Sequence, residues 1–288
     1  MKISIRMLRA WLAAGILLVV AASAPVQAAE AVYEPIVGQE GKDVVWVPTP
    51  QALLEKMLDM AAVTQRDFVM DLGSGDGRNV IAAAKRGARA LGVEFNPDMV
   101  ELSKRNAARE GVGERASFVQ GDMYEADVSR ATALVLFLLT ENLNKLVPKF
   151  LDMQPGSRIV VNGFEIDGWT ADETGRASGD CGNWCTAYLY IVPARVSGAW
   201  SLGGGTLLLE QKFQQVTGTL NTAGTSVPVT FGRLRGDEIR FTVGGVPYVG
   251  RVQGNTMRGE SRGGAATAWT AVRKANRVAA GGAPAMNQ

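Results

Sequence analysis

The sequence predicts an α/β protein in which a doubly wound sheet is followed by a small all-β meander or barrel. Between residues 44 and 195, short apolar runs typical of buried strands alternate with segments of helical periodicity. From residue 196 to residue 273 the helical periodicity is absent, and short alternating runs are separated by glycine-rich turns. The 288-residue chain is therefore predicted to contain two domains, at 44–195 and 196–273.

The first domain is expected to open with a helix and to continue as alternating strands and helices. Thr49 and Pro50 predict the start of this helix, with threonine as the N-cap and proline at the first helical position. Apolar residues then repeat at helical spacing, at Leu53, Leu54, Met57, Leu58 and Ala61. Strands are predicted at 67–72, 90–95, 116–120, 133–139, 158–164 and 187–193. Helices are predicted at 76–87, 97–110 and 143–153, the last kinked or started near Pro148.

The second domain is predicted to contain seven short strands, at 206–213, 216–220, 227–231, 238–243, 248–252, 256–260 and 267–272. Strands of this length at such regular intervals indicate an antiparallel meander or a small barrel. No cluster of candidate catalytic residues occurs in this part of the sequence. Three roles stay open for it: binding an apolar ligand, docking the substrate of the first domain, or covering an edge of the sheet.

The two ends of the chain are predicted to lie outside the folded domains. Residues 1–28 have the basic start, the short apolar run and the small final residues of a secretory signal peptide, with cleavage after Ala28. The apolar run is too short to span a bilayer comfortably, so an uncleaved anchor is the less favoured alternative. The protein is therefore expected in the periplasm or cell envelope. Residues 29–43 form a lead-in, and residues 274–288 form a tail that is predicted to be disordered.

The charge balance and the lack of histidine exclude several classes of function. Removal of residues 1–28 takes away three basic residues and no acidic residue, which leaves 27 basic and 28 acidic residues and a net charge of −1. No basic face is expected, and nucleic acid is not predicted as a partner. The chain has no histidine, which excludes a catalytic histidine and a metal site with histidine ligands. No metal is predicted.

The chain has two cysteines, Cys181 and Cys185. Two thiols alone do not form a closed zinc site. In an exported chain this pair favours a short disulfide, which would clip the segment before the last strand of the first domain. The alternative is a pair of unbonded thiols.

The most informative segment is a glycine-rich loop between a predicted strand and a predicted helix, at 69–78. Gly73, Gly75 and Gly77 alternate with other residues, whereas the dinucleotide-binding fingerprint has its third glycine one position later. Such a loop points backbone N–H groups and the positive end of a helix at a ligand. Asp71 beside it repels a pyrophosphate but suits a ligand that carries an ammonium and a sulfonium group. S-adenosylmethionine (SAM) is that ligand, and the three glycines are predicted to line its methionine part.

Two further acids follow later strands. Glu94 ends the second strand and is predicted to bind the ribose hydroxyls. Asp122 follows the third strand and is predicted to accept a hydrogen bond from the adenine amino group. Asp76 and Met123 complete the predicted cofactor-binding set. Each acid also has a structural interpretation: Glu94 as a solvated acid, Asp122 as a turn residue, Asp76 as a helix-start acid, and Asp71 as a cap or a partner of loop amides.

This order of strands and acids resembles class I SAM-dependent methyltransferases over roughly residues 44–195, which implies a Rossmann-like fold, SAM as the cofactor and methyl transfer as the reaction. A narrower resemblance is carried by four segments, Val47–Pro50, Asp71–Arg78, Ile81–Gly87 and Leu138–Asn144. These segments are similar to the ATP synthase c-subunit lysine N-methyltransferase family and its bacterial relatives. This resemblance implies protein lysine as the acceptor, and a membrane-associated acceptor because mitochondrial members act on a membrane protein.

The residues after the fourth strand are predicted to face the methyl acceptor, as they do in many methyltransferases. Thr140, Glu141 and Asn142 lie there and are candidate catalytic residues that orient an amine; the alternative is an ordinary helix N-terminus. Methyl transfer depends mainly on holding the acceptor lone pair in line with the S–CH₃ bond, away from water. A lysine acceptor must first lose a proton, which an apolar pocket favours.

The predicted function is transfer of a methyl group from SAM to an amino acceptor, with protein lysine favoured. Two alternatives are kept: a small-molecule methyltransferase, and an exported, non-catalytic binding module on a methyltransferase scaffold. The second is kept because SAM is made in the cytoplasm, whereas a signal peptide directs the chain outward. Asp71, Glu94 and Asp122 favour retained SAM binding, because a scaffold without this ligand has no need of three acids at strand ends.

Overall fold

The structure is a computed structural model that describes residues 33–275. The predicted signal peptide at 1–28, the first part of the lead-in at 29–43 and most of the tail at 274–288 lie outside the described residues. The signal peptide, the export that it implies and the disordered tail are therefore untested and stay predictions. Within the described range no helix is long and apolar enough to cross a membrane.

A seven-stranded sheet with helices on both faces forms the first part of the described chain. Its strands are β1 (Phe68–Leu72), β2 (Arg89–Glu94), β3 (Ala116–Gln120), β4 (Ala133–Leu136), β5 (Arg158–Asn162), β6 (Glu173–Arg176) and β7 (Thr186–Ile191). Its helices are α1 (Gln51–Met60), α2 (Arg78–Lys85), α3 (Pro97–Arg109) and α4 (Thr140–Asp152). The strand order is β3-β2-β1-β4-β5-β7-β6.

The topology places a ligand-binding position at the centre of the sheet. Strands β1 to β5 are parallel, whereas β7 is antiparallel to both β5 and β6, so the sheet is mixed. The chain runs from β1 outward to β3 and then returns to β4 on the other side of β1. The order therefore reverses between β1 and β4, and α/β sheets bind ligands beyond the carboxyl ends of strands at such a switch point.

Two apolar layers hold the sheet, one on each face. One layer packs Leu54 and the other apolar residues of α1 and α2 against the sheet, and the second packs Leu146 and its neighbours from α4 on the opposite face. Strand β4 contributes to both layers, with Val135 in the first and Leu134 in the second. This two-sided burial explains its uninterrupted apolar sequence. The residues predicted at helical spacing in and just after α1 are all buried, as expected.

Two predictions about helix starts are wrong. Helix α1 begins at Gln51 with Pro50 as its N-cap, and Thr49 is buried next to it instead of capping the helix. Helix α4 begins at Thr140, three residues earlier than predicted, and Pro148 lies inside it. The early start follows from the early end of β4 at Leu136, which leaves only three residues between the strand and the helix.

The predicted strands are recovered, but two short ones are missed. Strand β6 has the sequence Glu-Thr-Gly-Arg, which has little strand propensity, and it is held at the sheet edge by pairing with β7. The other missed strand lies at 198–202 and begins with glycine. Strand β4 ends at Leu136, although the apolar run continues to Leu139.

The second part of the described chain is a closed, eight-stranded antiparallel barrel. Its strands are β8 (Gly198–Leu202), β9 (Gly205–Lys212), β10 (Gln215–Thr222), β11 (Thr225–Arg235), β12 (Glu238–Val243), β13 (Val246–Gln253), β14 (Thr256–Ser261) and β15 (Thr267–Arg273). Strand β8 pairs with both β15 and β9, which closes the sheet without a free edge. The predicted antiparallel fold is confirmed, and it takes the form of a barrel.

Side chains fill the inside of the barrel. Trp200, Leu207 and Met257 are fully buried there. Phe241 lies edge-on to Trp269, with ring centroids 5.8 Å apart. Packing of this kind makes the barrel interior a hydrophobic core, which weighs against a ligand bound inside it.

The barrel packs against the sheet through the segment between β5 and β6. Trp169 stacks on Phe213, with ring centroids 5.0 Å apart. The buried carboxylate of Asp172 accepts a hydrogen bond from the Ile191 backbone N–H (2.8 Å) and another from Arg233 (2.9 Å). These contacts join the two parts within one compact unit.

Candidate functional site

A cleft lies at the switch point of the sheet, beyond the carboxyl ends of β1 to β4. Its walls come from residues 39–49, from the loop between β1 and α2, and from the residues that follow β2, β3 and β4. The structure brings most of the predicted cofactor-binding residues together in this lining. They are Asp71, Gly73, Gly75, Asp76, Glu94, Asp122 and Met123.

Glu94 ends β2 and holds the glycine loop in place. Its Oε2 accepts a hydrogen bond from the Gly75 N–H (2.8 Å), and its Oε1 accepts one from the Asn96 N–H (2.9 Å). An ionised carboxylate has about four acceptor positions, so about two are left after these bonds. The remaining positions suit the paired hydroxyls of a ribose, which is the role predicted for Glu94.

Trp46, which lies in the segment before α1, is directly over Gly75. The glycine has a φ of +54°, and a Cβ added to it would lie 2.5 Å from Trp46 Nε1. Glycine permits both this backbone conformation and the close approach of the indole. The Trp46 backbone is itself held, because its N–H donates to the Gln39 carbonyl and its carbonyl accepts from the Gly38 N–H, both at 2.9 Å. The segment at 39–49 is therefore a hydrogen-bonded wall of the cleft.

Asp122 is paired with a lysine from the lead-in. Its Oδ1 accepts a hydrogen bond from the Tyr124 N–H (2.8 Å), and its Oδ2 forms an ion pair with Lys42. The Lys42 hydrogen bond and the Tyr124 N–H hold the pKa of Asp122 below its usual value. The Lys42 ammonium also lies over the ring of Phe95, 5.0 Å from its centroid. The carboxylate predicted to bind adenine is thus ionised. Its partner Lys42 is exposed and has a long, flexible side chain.

Asp71 is a buried acid at the inner end of the cleft. Burial is the main cause that raises its pKa well above the usual value, and the charges of Glu94 and Asp76 raise it further, while a hydrogen bond with Asn79 opposes the shift. Burial and these two neighbouring charges therefore favour the uncharged acid over the ionised one in the absence of a cation. A ligand that brings positive charge close to this carboxyl would favour its ionised form.

Asp76 and Gly77 have structural contacts of their own. The Asp76 carboxylate lines the cleft and is also bonded to Arg78, from Nε at 3.0 Å and from a terminal nitrogen at 2.6 Å. Gly77 is not among the cleft-lining residues. It is the N-cap of α2 with a φ of +82°, and a Cβ there would lie 2.7 Å from Phe118 and 2.9 Å from Ser103. Its glycine is required by close packing of the loop against β3 and α3.

The three candidate catalytic residues occupy the first turn of α4 and are not among the cleft-lining residues. The Thr140 hydroxyl donates to the Glu165 carbonyl (3.0 Å), and the buried Asn142 side chain donates to the Tyr124 hydroxyl (2.8 Å). Glu141 is exposed. These contacts show helix-start and packing roles for Thr140 and Asn142, and contact of the three residues with the acceptor stays a prediction.

Several cleft residues are missed by the sequence analysis. Phe137 follows β4 and lines the cleft, where Thr140 and its neighbours were expected. Lys42 and Phe95 meet over Asp122, and no local pattern indicates these contacts. The sequence does contain a signal for Asn79, because a polar residue in the otherwise apolar face of α2 indicates a polar partner or ligand.

The polar groups of the cleft fit SAM. The buried Ser74 hydroxyl and the Asn79 Oδ1 line the cleft and have no hydrogen-bond partner within residues 33–275. Together with Asp71 they would hold the amino-acid part of SAM, while Glu94 would hold its ribose and Asp122 its adenine. The donors, acceptors and charges of the cleft therefore match each part of this cofactor.

Fold and cleft define a class I SAM-dependent methyltransferase. The family model described as the ANTKMT methyltransferase domain matches residues 71–173. A protein-lysine N-methyltransferase of Saccharolobus islandicus (strain REY15A) is 41% identical over 152 residues, which are 52% of this chain and 94% of that protein. The chain belongs to the family of SAM-dependent methyltransferases that includes this relative, as the resemblance predicted. SAM is its cofactor.

A second relative matches over a smaller share of its own length. The ATP synthase c-subunit lysine N-methyltransferase of Rattus norvegicus is 35% identical over 130 residues, which are 45% of this chain and 60% of that protein. Among solved structures, one described as an RNA methyltransferase from Salinibacter ruber in complex with S-adenosyl-L-homocysteine is 39% identical. It covers 52% of this chain and 96% of its own, with a TM-score of 0.49.

Proposed function

We propose that the protein transfers the methyl group of SAM to the ε-amino group of a lysine in a protein acceptor. The observation that carries this proposal is the 41% identity across 94% of a relative described as a protein-lysine N-methyltransferase. Relatives described as lysine N-methyltransferases of the ATP synthase c-subunit and of the adenine nucleotide translocase support the same acceptor group. Those relatives share the lysine side chain as acceptor, although the proteins that carry it differ.

The residues of the cleft contribute binding and orientation. Bound SAM supplies a methyl group on a positively charged sulfur, which already activates that carbon toward an amine. Glu94 and Asp122 would fix the nucleoside part from two neighbouring strands. Asp71 would hold the cationic end, since a nearby positive charge favours its ionised form. Accurate placement of this kind is the main way in which a methyltransferase lowers its barrier.

The acceptor side of the cleft is apolar. Phe137 is half-buried and lines the cleft at the end of β4, and Trp46 covers the glycine loop. Apolar surroundings favour the neutral amine over the ammonium, and the neutral amine has the lone pair that transfer requires. The chain has no histidine to take the proton. We infer that the proton is lost to water before the amine reaches the cleft.

We also propose that the protein acts outside the cytoplasm on a membrane-associated acceptor. The support is the signal-peptide pattern of residues 1–28 together with the disulfide between Cys181 and Cys185, because disulfides persist in exported proteins. Fractionation of cells into cytoplasm, periplasm and membranes, with mass spectrometry of the N-terminus, tests this directly. A protein that stays in the cytoplasm with residue 1 intact would contradict it.

The acceptor is tested by incubating the purified protein and methyl-labelled SAM with separate envelope and cytoplasmic fractions. The proposal predicts label in a protein band and methylated lysine on peptide mass spectrometry. Glu94→Ala is the matched control, since it removes the acid that holds the loop and the ribose. Label only in a small molecule would favour a small-molecule methyltransferase, and no transfer by a protein that binds SAM would favour the non-catalytic binding module.

A further inference from the structure

Three aromatic side chains meet beside the cofactor cleft. The Phe137 and Trp184 rings lie edge to face with centroids 4.9 Å apart. Phe164 lies 5.6 Å from Trp184 and 6.3 Å from Phe137. All three are half-buried, so each ring keeps a solvent-facing part, and Phe137 also lines the cofactor cleft. The three rings, here called the aromatic cluster, therefore extend the cleft away from the predicted nucleoside site.

The cluster is assembled from three separate segments of the chain. Phe137 follows β4, Phe164 follows β5, and Trp184 precedes β7. The indole lies over Gly163, whose φ is +72° and whose added Cβ would lie 2.9 Å from Trp184 Cε3. Glycine at 163 is therefore needed for both the turn after β5 and the position of the indole.

A disulfide holds the segment that carries Trp184. Cys181 and Cys185 are bonded, as predicted, with Cα atoms 5.1 Å apart, and they enclose the tryptophan in a loop of five residues. The Trp184 N–H donates to the Cys181 carbonyl (2.8 Å), and the Cys185 carbonyl accepts from the Ala177 N–H (2.8 Å). Since the loop lacks a helix or strand of its own, the covalent bond is its main constraint.

We propose that the aromatic cluster binds the acceptor lysine side chain and that the Cys181–Cys185 disulfide holds Trp184 in position for this binding. The inference rests on the proposed function and names the part of the site that recognises the acceptor. The apolar area of the rings suits the four-carbon stem of a lysine, and their faces attract the positive charge that forms on its nitrogen during transfer. Phe137 belongs to both the cluster and the cofactor cleft, so an amine held by the rings lies next to the transfer site.

The charge change during transfer favours this arrangement. The amine lone pair forms the N–C bond, the electrons of the S–C bond go to sulfur, and the positive charge passes from sulfur to nitrogen. Rings beside the nitrogen therefore interact more strongly with it as transfer proceeds, which is the differential binding that accelerates a reaction. Glu165, which follows Phe164 in the chain, is exposed.

The test compares Trp184→Ala with Trp184→Phe and with the double change Cys181→Ser and Cys185→Ser. The acceptors are a synthetic peptide with one lysine flanked by alanines and the envelope fraction. For each protein the KM and kcat toward the acceptor are measured with labelled SAM, and calorimetry gives the Kd for SAM. Phe231→Ala is the matched control, because this phenylalanine is 88% exposed on the barrel.

We expect Trp184→Ala to raise the acceptor KM by roughly tenfold, which corresponds to about 1.4 kcal/mol. We expect the Kd for SAM to stay within about twofold and Trp184→Phe to restore most of the acceptor affinity. The double serine variant, or reduction of the wild-type protein, should raise KM in the same direction. Reduction should have no further effect on Trp184→Ala, because the bond acts through this side chain.

Three results would overturn the proposal. One is an unchanged acceptor KM in a folded Trp184→Ala protein. Another is a parallel loss of SAM binding, which would place Trp184 in the cofactor site or in the packing of the fold. The third is an equal effect of reduction with and without the indole, which would remove the positioning role of the disulfide. A wild-type protein that binds SAM but methylates no lysine in either acceptor would instead contradict the proposed function itself.

Discussion

Replacement of Asp71 by asparagine tests the charge balance at the inner end of the cleft. Asp71 is only 3% exposed. Burial, together with the charges of Glu94 and Asp76, raises its pKa well above the usual value. Asparagine has nearly the same shape but does not titrate. The substitution therefore removes the proton equilibrium with little change in packing.

The sign and size of the effect follow from the two states of the proton. The unfolded chain releases this proton near pH 3.9, roughly the value of a free aspartate. Between that pH and the higher pKa of the folded protein, the folded state holds one proton more, so the free energy of unfolding falls as pH rises. Where the folded state holds one full proton more than the unfolded state, Asp71 lowers the free energy of unfolding by about 1.4 kcal/mol per pH unit. Outside this pH interval its contribution to the slope is zero.

Urea unfolding of the wild-type and Asp71→Asn proteins, followed from about pH 4.5 to pH 8, measures this slope. We expect the stability advantage of the variant to grow with pH and then to level off above the folded-state pKa. Because SAM would favour the ionised acid, we also expect the wild-type protein to release a proton on binding it, seen as a dependence of binding heat on the buffer. A stability difference that stays constant over this pH range would show that Asp71 does not hold an extra proton in the folded state.

Three further substitutions test the cleft and the contact between sheet and barrel. Gly77→Ala puts a Cβ 2.7 Å from Phe118 at a φ of +82°, and we expect a loss of about 2–5 kcal/mol in urea unfolding; unchanged stability would contradict it. Lys42→Met frees Asp122 from its ion pair and should tighten SAM binding by up to roughly fivefold in calorimetry, whereas weaker binding would show that the lysine contacts bound cofactor. Asp172→Ala removes a buried acceptor of two hydrogen bonds and should lower the free energy of unfolding by about 2–3 kcal/mol while the Kd for SAM stays the same. A changed Kd would show that the contact between sheet and barrel also affects the cleft.

The cofactor side of the cleft was accessible from sequence because topology brings its residues together. Strands β2 and β3 are parallel neighbours, so the residues after their carboxyl ends share one edge of the sheet. Glu94 and Asp122 therefore lie in one cleft although they are far apart in the chain. The glycine loop adds a local signal, since positive φ at Gly75 leaves few other residues possible.

The acceptor side was harder to predict because it depends on where one strand ends. The apolar run that contains β4 continues past Leu136, and its periodicity does not show that Phe137 turns into the cleft while α4 begins at Thr140. Lys42 reaches Asp122 across 80 positions of sequence, and a contact of that range has no local pattern. The same limit applies to β8, a short strand whose place is set by closure of the barrel.

Calorimetric titration of SAM into the purified protein, with Glu94→Ala as the control, measures whether this cleft binds the cofactor. Glu94 accepts hydrogen bonds from Gly75 and Asn96 and is the residue assigned to the ribose, so its loss should affect the loop and the cofactor together. We expect the wild-type protein to bind SAM with a Kd on the order of micromolar, and we expect the variant to lose this binding. No binding by a folded wild-type protein, or equal binding by the variant, would contradict the assignment of this cleft to SAM.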